Sequence, residues 1–93
     1  MSSQFLPKPN PALIFKALPE GGLIYSPGHE VYFSLNETGA CVWSLLPPVT
    51  TTLEELVDRL GGAFSDVSAS VLRADVEELL AEFLKHELVV SSS

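Results

Sequence analysis

The 93 residues are enough for one domain and too few to close a second core. Five basic residues stand against twelve acidic ones, and the resulting net charge of -7 argues against nucleic acid and anionic membrane surfaces as partners. Apolar residues make up 46% of the chain, as in a packed globule, yet no run approaches the ~20 apolar residues that span a bilayer.

The chain begins MSSQFLPKPNP, with no charged stretch leading into an apolar run, so it does not read as a secretory signal. Pro7, Pro9 and Pro11 disfavour helix and sheet alike. Residues 1–11 are therefore expected to be a flexible lead-in, with Phe5 and Leu6 free to dock on the body. The domain proper is expected over residues 12–90. ALIFKAL (12–18), LIYS (23–26) and EVYFSL (30–35) are extended runs separated by the turns PEGG and Pro27-Gly28. They predict a three-stranded antiparallel meander.

At Asn36 the apolar spacing changes from two to helical. Asn36 is placed to cap the first helix, with Glu37 at the positive end of its dipole; Ser34-x-x-Glu37 is a competing frame. The Asn36 frame keeps Leu35 in the alternation Val31, Phe33, Leu35. The helix should bury Val42, Trp43 and Leu46 and end at Pro47-Pro48. TTTLEELVDRLGG (50–62) carries a threonine cap, a glutamate three residues later, and Leu53, Leu56, Val57 and Leu60 at helical spacing, with Gly61-Gly62 as its stop. The final run, residues 68–90, places Leu72, Val76, Leu79, Leu80 and Phe83 on one stripe, bordered by Val71 and Asp75. Three strands followed by three helices predict an α+β domain of winged helix-turn-helix type.

Cys41, the only cysteine, excludes an internal disulfide and fits a reducing, cytoplasmic setting. A catalytic thiolate needs a base in reach, and neither His29 nor His86 has a sequence relation to Cys41 that suggests a dyad. Cys41 is read as a small packed residue. The two histidines and one cysteine lack metal-binding spacing, and no phosphate-binding loop is present. Glu54, Glu55, Asp58, Glu77, Glu78 and Glu82 lie on the outer faces of amphipathic helices, where solvated charge is ordinary. Asp75, Glu77, Glu78 and Glu82 disfavour DNA binding through the last helix, which sets only Arg73 and Lys85 against them. No catalytic residue, metal or cofactor is expected, and the chain is read as a non-enzyme. What remains is backbone. EVYFSL has no internal Pro or Gly, and its free edge beside the last helix would offer a groove for an added strand, unless the N-terminal segment covers it.

The run SLNETGACVWSLL, then TTLEELVDRL, then VLRADVEELLAEFLKHELV, resembles the PqqD-like domains over about residues 23–90. The resemblance implies a recognition element for ribosomally made, post-translationally modified peptides. In such domains the precursor's leader adds to the third strand and lies against the third helix. By position, the resemblance places peptide contacts on Glu30, Val31, Tyr32, Phe33 and Ser34, and on Val71, Leu72, Asp75, Val76 and Leu79. Free-standing members of this length resemble the leader-binding proteins of lasso-peptide pathways. The implied partners are a precursor leader peptide, a transglutaminase-like cysteine protease acting as leader peptidase, and an ATP-dependent cyclase. Two alternatives stand beside this: a pyrroloquinoline-quinone-type peptide chaperone serving a radical enzyme, and an acidic winged-helix regulator. Where the family usually carries a glycine before its closing Leu-Val, this chain has Glu87.

Overall fold

The computed structural model describes residues 5–90. In chain order the elements are β1 (Lys8–Pro9), β2 (Ile14–Leu18), β3 (Gly21–Ser26), β4 (Val31–Leu35), α1 (Glu37–Leu45), α2 (Leu53–Ala63), α3 (Ala69–Lys85) and β5 (Val89–Val90). β2, β3 and β4 form an antiparallel meander, and the three helices follow it. The α+β, winged-helix-like arrangement is the one the sequence predicts.

The meander's register pairs Phe15 with Ile24 and Ile24 with Phe33, so one sheet face carries these three residues. That face closes on the helices. Ile24, Val42, Leu53, Leu56, Leu60 and Val76 have no exposed surface, and Phe15, Phe33 and Leu35 pack around them. Trp43 links the layers: its ring lies 6.2 Å from Phe15 and meets Phe83 edge-on at 5.6 Å. Gly21 closes the β2–β3 turn at φ 154°, and a Cβ there would collide with the Leu35 carbonyl.

Each helix start follows from one capping side chain. The Asn36 carboxamide oxygen accepts the Gly39 N–H at 2.8 Å, so Asn36 and not Ser34 begins α1. Thr52 Oγ1 accepts the Glu55 N–H at 3.2 Å, and Ser68 Oγ accepts the Val71 N–H at 3.4 Å. The helix ends depart from expectation. α2 passes through Gly61 and Gly62 to Ala63; the cap residue Phe64 donates its N–H to Leu60 C=O at 3.0 Å while its half-buried ring packs on the core. That packing outweighs the glycines' preference for a stop.

α3 ends at Lys85 and does not run to residue 90. Glu87 takes the left-handed conformation, φ 58°; Leu88 N–H reaches back to Phe83 C=O at 2.8 Å, and Glu87 N–H to Leu84 C=O at 3.1 Å. This pair of bonds is a Schellman closure, with buried Phe83 and Leu88 supplying its apolar contact. The chain beyond it leaves as β5 and pairs antiparallel with β1.

The proline-rich lead-in is docked over residues 5–10. Leu6 is 2% exposed, its N–H donates to Thr51 C=O at 3.0 Å, and Phe5 bridges Thr52. Asn10 N–H donates to Leu88 C=O at 3.0 Å. Of the segment expected to be flexible, residues 1–4 lie outside the described residues. Residues 5–10 are tied down because Pro7 and Pro9 leave the alternate N–H groups free to bond, and Leu6 finds a core site.

Candidate functional site

β4 ends the sheet order β2-β3-β4 and has no strand on its outer side among the described residues. The backbone direction of each β4 residue follows from the register. The two-residue turn at Pro19-Glu20 makes Leu18 and Gly21 a closing pair, so Gly21, Leu23 and Tyr25 face β2. Gly22, Ile24 and Ser26 must then face β4, where their partners are Leu35, Phe33 and Val31. Tyr32 and Ser34 are left with N–H and C=O groups aimed outward. The described part of the N-terminal segment does not cover them: its strand pairs with β5. Among the described residues β2 is the sheet's other open edge, with Phe15 and Ala17 outward by the same alternation.

The β4 edge borders a groove against α3. A cavity of about 380 Å³ lies between Tyr32–Leu35 and Leu79, Glu82 and Phe83 of α3, with the cap residue His86 and Leu88 also lining it. A second, of about 270 Å³, continues toward the start of β4, between His29, Val31 and Phe33 on one side and Lys85, His86 and Glu87 on the other. Asn10 and Leu13 close its end, so the docked N-terminal segment builds that wall. Phe33, His86 and Leu88 line both cavities. The His86 ring lies 5.2 Å from Phe33, and its Nε2 is 3.5 Å from Glu82 Oε1. The floor is apolar and the rims are charged, which suits a chain that pairs by backbone and inserts alternate side chains.

The residues expected to bind peptide divide into four groups. Val31, Tyr32, Phe33, Ser34 and Leu79 line the groove together. Glu30 sits at φ 54° in the turn ahead of β4, outside the strand. Leu72 and Val76 are 2% and 0% exposed and belong to the core, so they support the groove from beneath without reaching into it. Val71 and Asp75 are exposed on the Leu79 stripe, two and one helical turns nearer the α3 start. Neither lines the cavities. Glu82, Phe83, His86 and Leu88 are not among the contacts expected from sequence, although the first three continue that stripe in steps of three and four. The periodicity names the stripe; only the crossing of β4 over α3 says which turns lie opposite the strand.

The remaining chemistry is sparse. Cys41 is half-buried, and burial pushes its thiol up, away from thiolate character. Among the described residues no group of His, Cys, Asp and Glu is arranged to hold a metal ion, and no helix is long and apolar enough to cross a membrane. Arg73 is engaged by carboxylates, 3.5 Å from Glu54 and 3.7 Å from Glu77, which removes a cation from any DNA-facing surface. A separate cavity, about 520 Å³, lies between α2 and α3 and shares no residue with the groove.

Comparison with known proteins adds two findings. The family described as "Coenzyme PQQ synthesis protein D (PqqD)" matches residues 21–89. A solved structure, "TbiB1 in Complex with the TbiA(beta) Leader Peptide", superposes with a TM-score of 0.76 at 24% identity, over 88% of this chain and 93% of the other, and so shares the fold. No curated protein matches the sequence.

Proposed function

The chain belongs to the PqqD family, and from that premise we propose that β4 receives the leader segment of a ribosomally made precursor peptide as an added strand. The uncovered backbone of Tyr32 and Ser34 beside an apolar groove is the observation that carries this reading. The solved relative in complex with a leader peptide supports it. Tyr32 and Ser34 supply two N–H and two C=O groups. Four such bonds at about 1 kcal/mol each, with two apolar anchors at about 2 kcal/mol each, give roughly 8 kcal/mol gross. Ordering the peptide takes back about 2–5 kcal/mol, so micromolar affinity requires further contacts. Asp75 and Val71 supply them to a leader that extends past Leu35. Glu30 and Val31 meet the other end of the guest, and Leu72 and Val76 hold α3 at the right distance.

The domain itself performs no chemistry in this reading and needs no cofactor. It presents the leader to a transglutaminase-like cysteine protease and then to an ATP-dependent cyclase, as in a lasso-peptide pathway within the cytoplasm. The family's description favours a second reading, in which the same groove delivers a precursor to a radical enzyme of quinone-cofactor synthesis. Both share the groove and differ in the enzyme served. A short precursor reading frame beside a peptidase and a cyclase supports the first; one beside a radical enzyme supports the second.

The test is titration of an isotopically labelled protein with leader peptide. Amide shifts are expected across residues 30–35 and 79–88. Tyr32→Pro, which removes an outward N–H, should weaken binding at least tenfold while the fold persists; Val31→Pro removes a bond to β3 and should cost stability instead. Shifts confined to β2 or to the α2–α3 face would overturn the groove assignment.

A further inference from the structure

Two polar side chains are buried among the described residues, and the fold treats them differently. Thr50 is 1% exposed, and its hydroxyl donates to the Leu45 C=O at 2.6 Å. Ser26 is 6% exposed, and its hydroxyl makes no hydrogen bond among the described residues. No sealed side-chain polar atom goes without a partner there, so the Ser26 hydroxyl opens onto space: the cavity of about 270 Å³ that it lines. Alternation along β3 turns Gly22, Ile24 and Ser26 to the core side; Ile24 meets the core, and Ser26, last in the row, reaches the cavity. A hydroxyl withdrawn from bulk water and given no internal partner marks a place where a ligand can supply one.

The groups around the hydroxyl define that ligand. The chain has two histidines and five Lys and Arg side chains against twelve carboxylates, yet both histidines and Lys85 line this one cavity. His29 comes from the turn before β4, Lys85 from the last turn of α3 and His86 from its cap. Lys85 makes no ion pair among the described residues. Glu87 is the one carboxylate in the described lining, and Glu82 meets His86 from the neighbouring cavity. A lysine at a helix end also suits the helix dipole, but that leaves the Ser26 hydroxyl, on a different element, unexplained. Ammonium, hydroxyl and imidazole N–H groups are donors, and their convergence suits an acceptor that carries negative charge. Leu13, Val31, Phe33 and Leu88 line the same cavity, so the acceptor arrives on an apolar stem. We propose that the lower cavity is a subsite for an acidic side chain, whose methylene stem packs on Phe33 and Leu88 and whose carboxylate accepts bonds from the Ser26 hydroxyl and the Lys85 ammonium. Its place on the guest rests on the strand-addition reading: a guest residue opposite Val31 points to the core side, as Val31 does, and so enters the cavity. The guest is then a leader with a carboxylate at that position.

The first probes are 4-methylpentanoate and its uncharged counterpart 4-methylpentanamide, titrated into the isotopically labelled full chain. The acid is expected to shift the backbone amides of Ser26, Val31, Phe33 and Lys85, and the uncharged compound to bind about tenfold more weakly. Ser26→Ala and Lys85→Gln should each bring the acid close to the affinity of the uncharged compound, with circular dichroism unchanged. The second probe is the leader peptide of the precursor encoded beside this chain, with each Glu replaced in turn by Gln and each Asp by Asn. One replacement should weaken binding about tenfold in the wild type and little in Lys85→Gln, because the two changes remove the same contact. Equal affinity for acid and uncharged compound, binding of neither, or wild-type acid affinity in both variants would overturn the subsite. So would a leader that binds without an acidic residue or loses nothing in any replacement, and that result leaves strand addition standing. Acid-selective shifts at these amides in a wild-type protein that ignores the leader would support the subsite and remove the strand reading.

Discussion

Glu87 holds a backbone conformation that costs an L-residue about 1–2 kcal/mol and a glycine almost nothing. The Schellman bonds from Leu88 and Glu87, with Leu88 buried against Phe83, make the surrounding structure impose it. Glu87→Gly is therefore expected to stabilise the domain by about 1 kcal/mol, net of the extra freedom of the unfolded chain, as a rise in urea midpoint at constant m-value. Because Glu87 also borders the lower cavity, the same variant shows whether its charge matters to a guest. The departure from the usual glycine was visible in the sequence. Its consequence, an early end to α3 and release of Val89–Val90 to form a strand, was not, because a glutamate gives no local signal for the left-handed turn.

At the scale of elements, α2 carries its own acid sensor. Glu55 accepts the Thr51 N–H at 2.9 Å and the Thr51 hydroxyl at 3.2 Å, and Thr52 Oγ1 accepts the Glu55 N–H in return. The Thr51 backbone bond, followed by the hydroxyl bond, holds the Glu55 carboxyl below its ordinary value. A depressed folded-state value means that the contribution is fully present above the unfolded glutamate range and is lost as pH falls through the lowered value. Fraying of the α2 start should therefore set in on the acid side, read as amide exchange at Leu53–Leu56. Glu55→Gln should flatten that dependence without altering stability changes near neutral pH beyond a small constant offset. Asn36 and the threonine cap of α2 were legible, as was the start of the last helical run at residue 68, because a helix start is a local event. Helix ends and groove contacts were less so. Gly61-Gly62 lost to the packing of Phe64, and the groove's Glu82, Phe83 and His86 depended on how one element crosses another. The strand half of the site, Val31 to Ser34, was legible because an edge is a property of strand order.

At the scale of the whole molecule, the N-terminal segment is part of the body. Leu6 fills a core site, β1 pairs with β5, and Asn10 closes the end of the groove. Leu6→Ala should destabilise by about 2–5 kcal/mol, measured by chemical denaturation. If the segment were only a tether, the change would be near zero. The proline-rich start had suggested flexibility, since Pro7 and Pro9 argue against regular structure. Prolines are compatible with a two-residue edge pairing in which their missing N–H groups point away from the partner.

The sheet's two open edges have a consequence of their own. In the terms of polymer chemistry, a molecule whose described residues leave one edge open at β2 and another at β4 is difunctional, and joining β4 of one copy to β2 of the next is a head-to-tail contact that need not close. A strand seated on β4 makes the molecule monofunctional. Occupancy of the groove thus acts as a chain terminator, and the loaded protein should stay dispersed at concentrations where the empty one begins to associate.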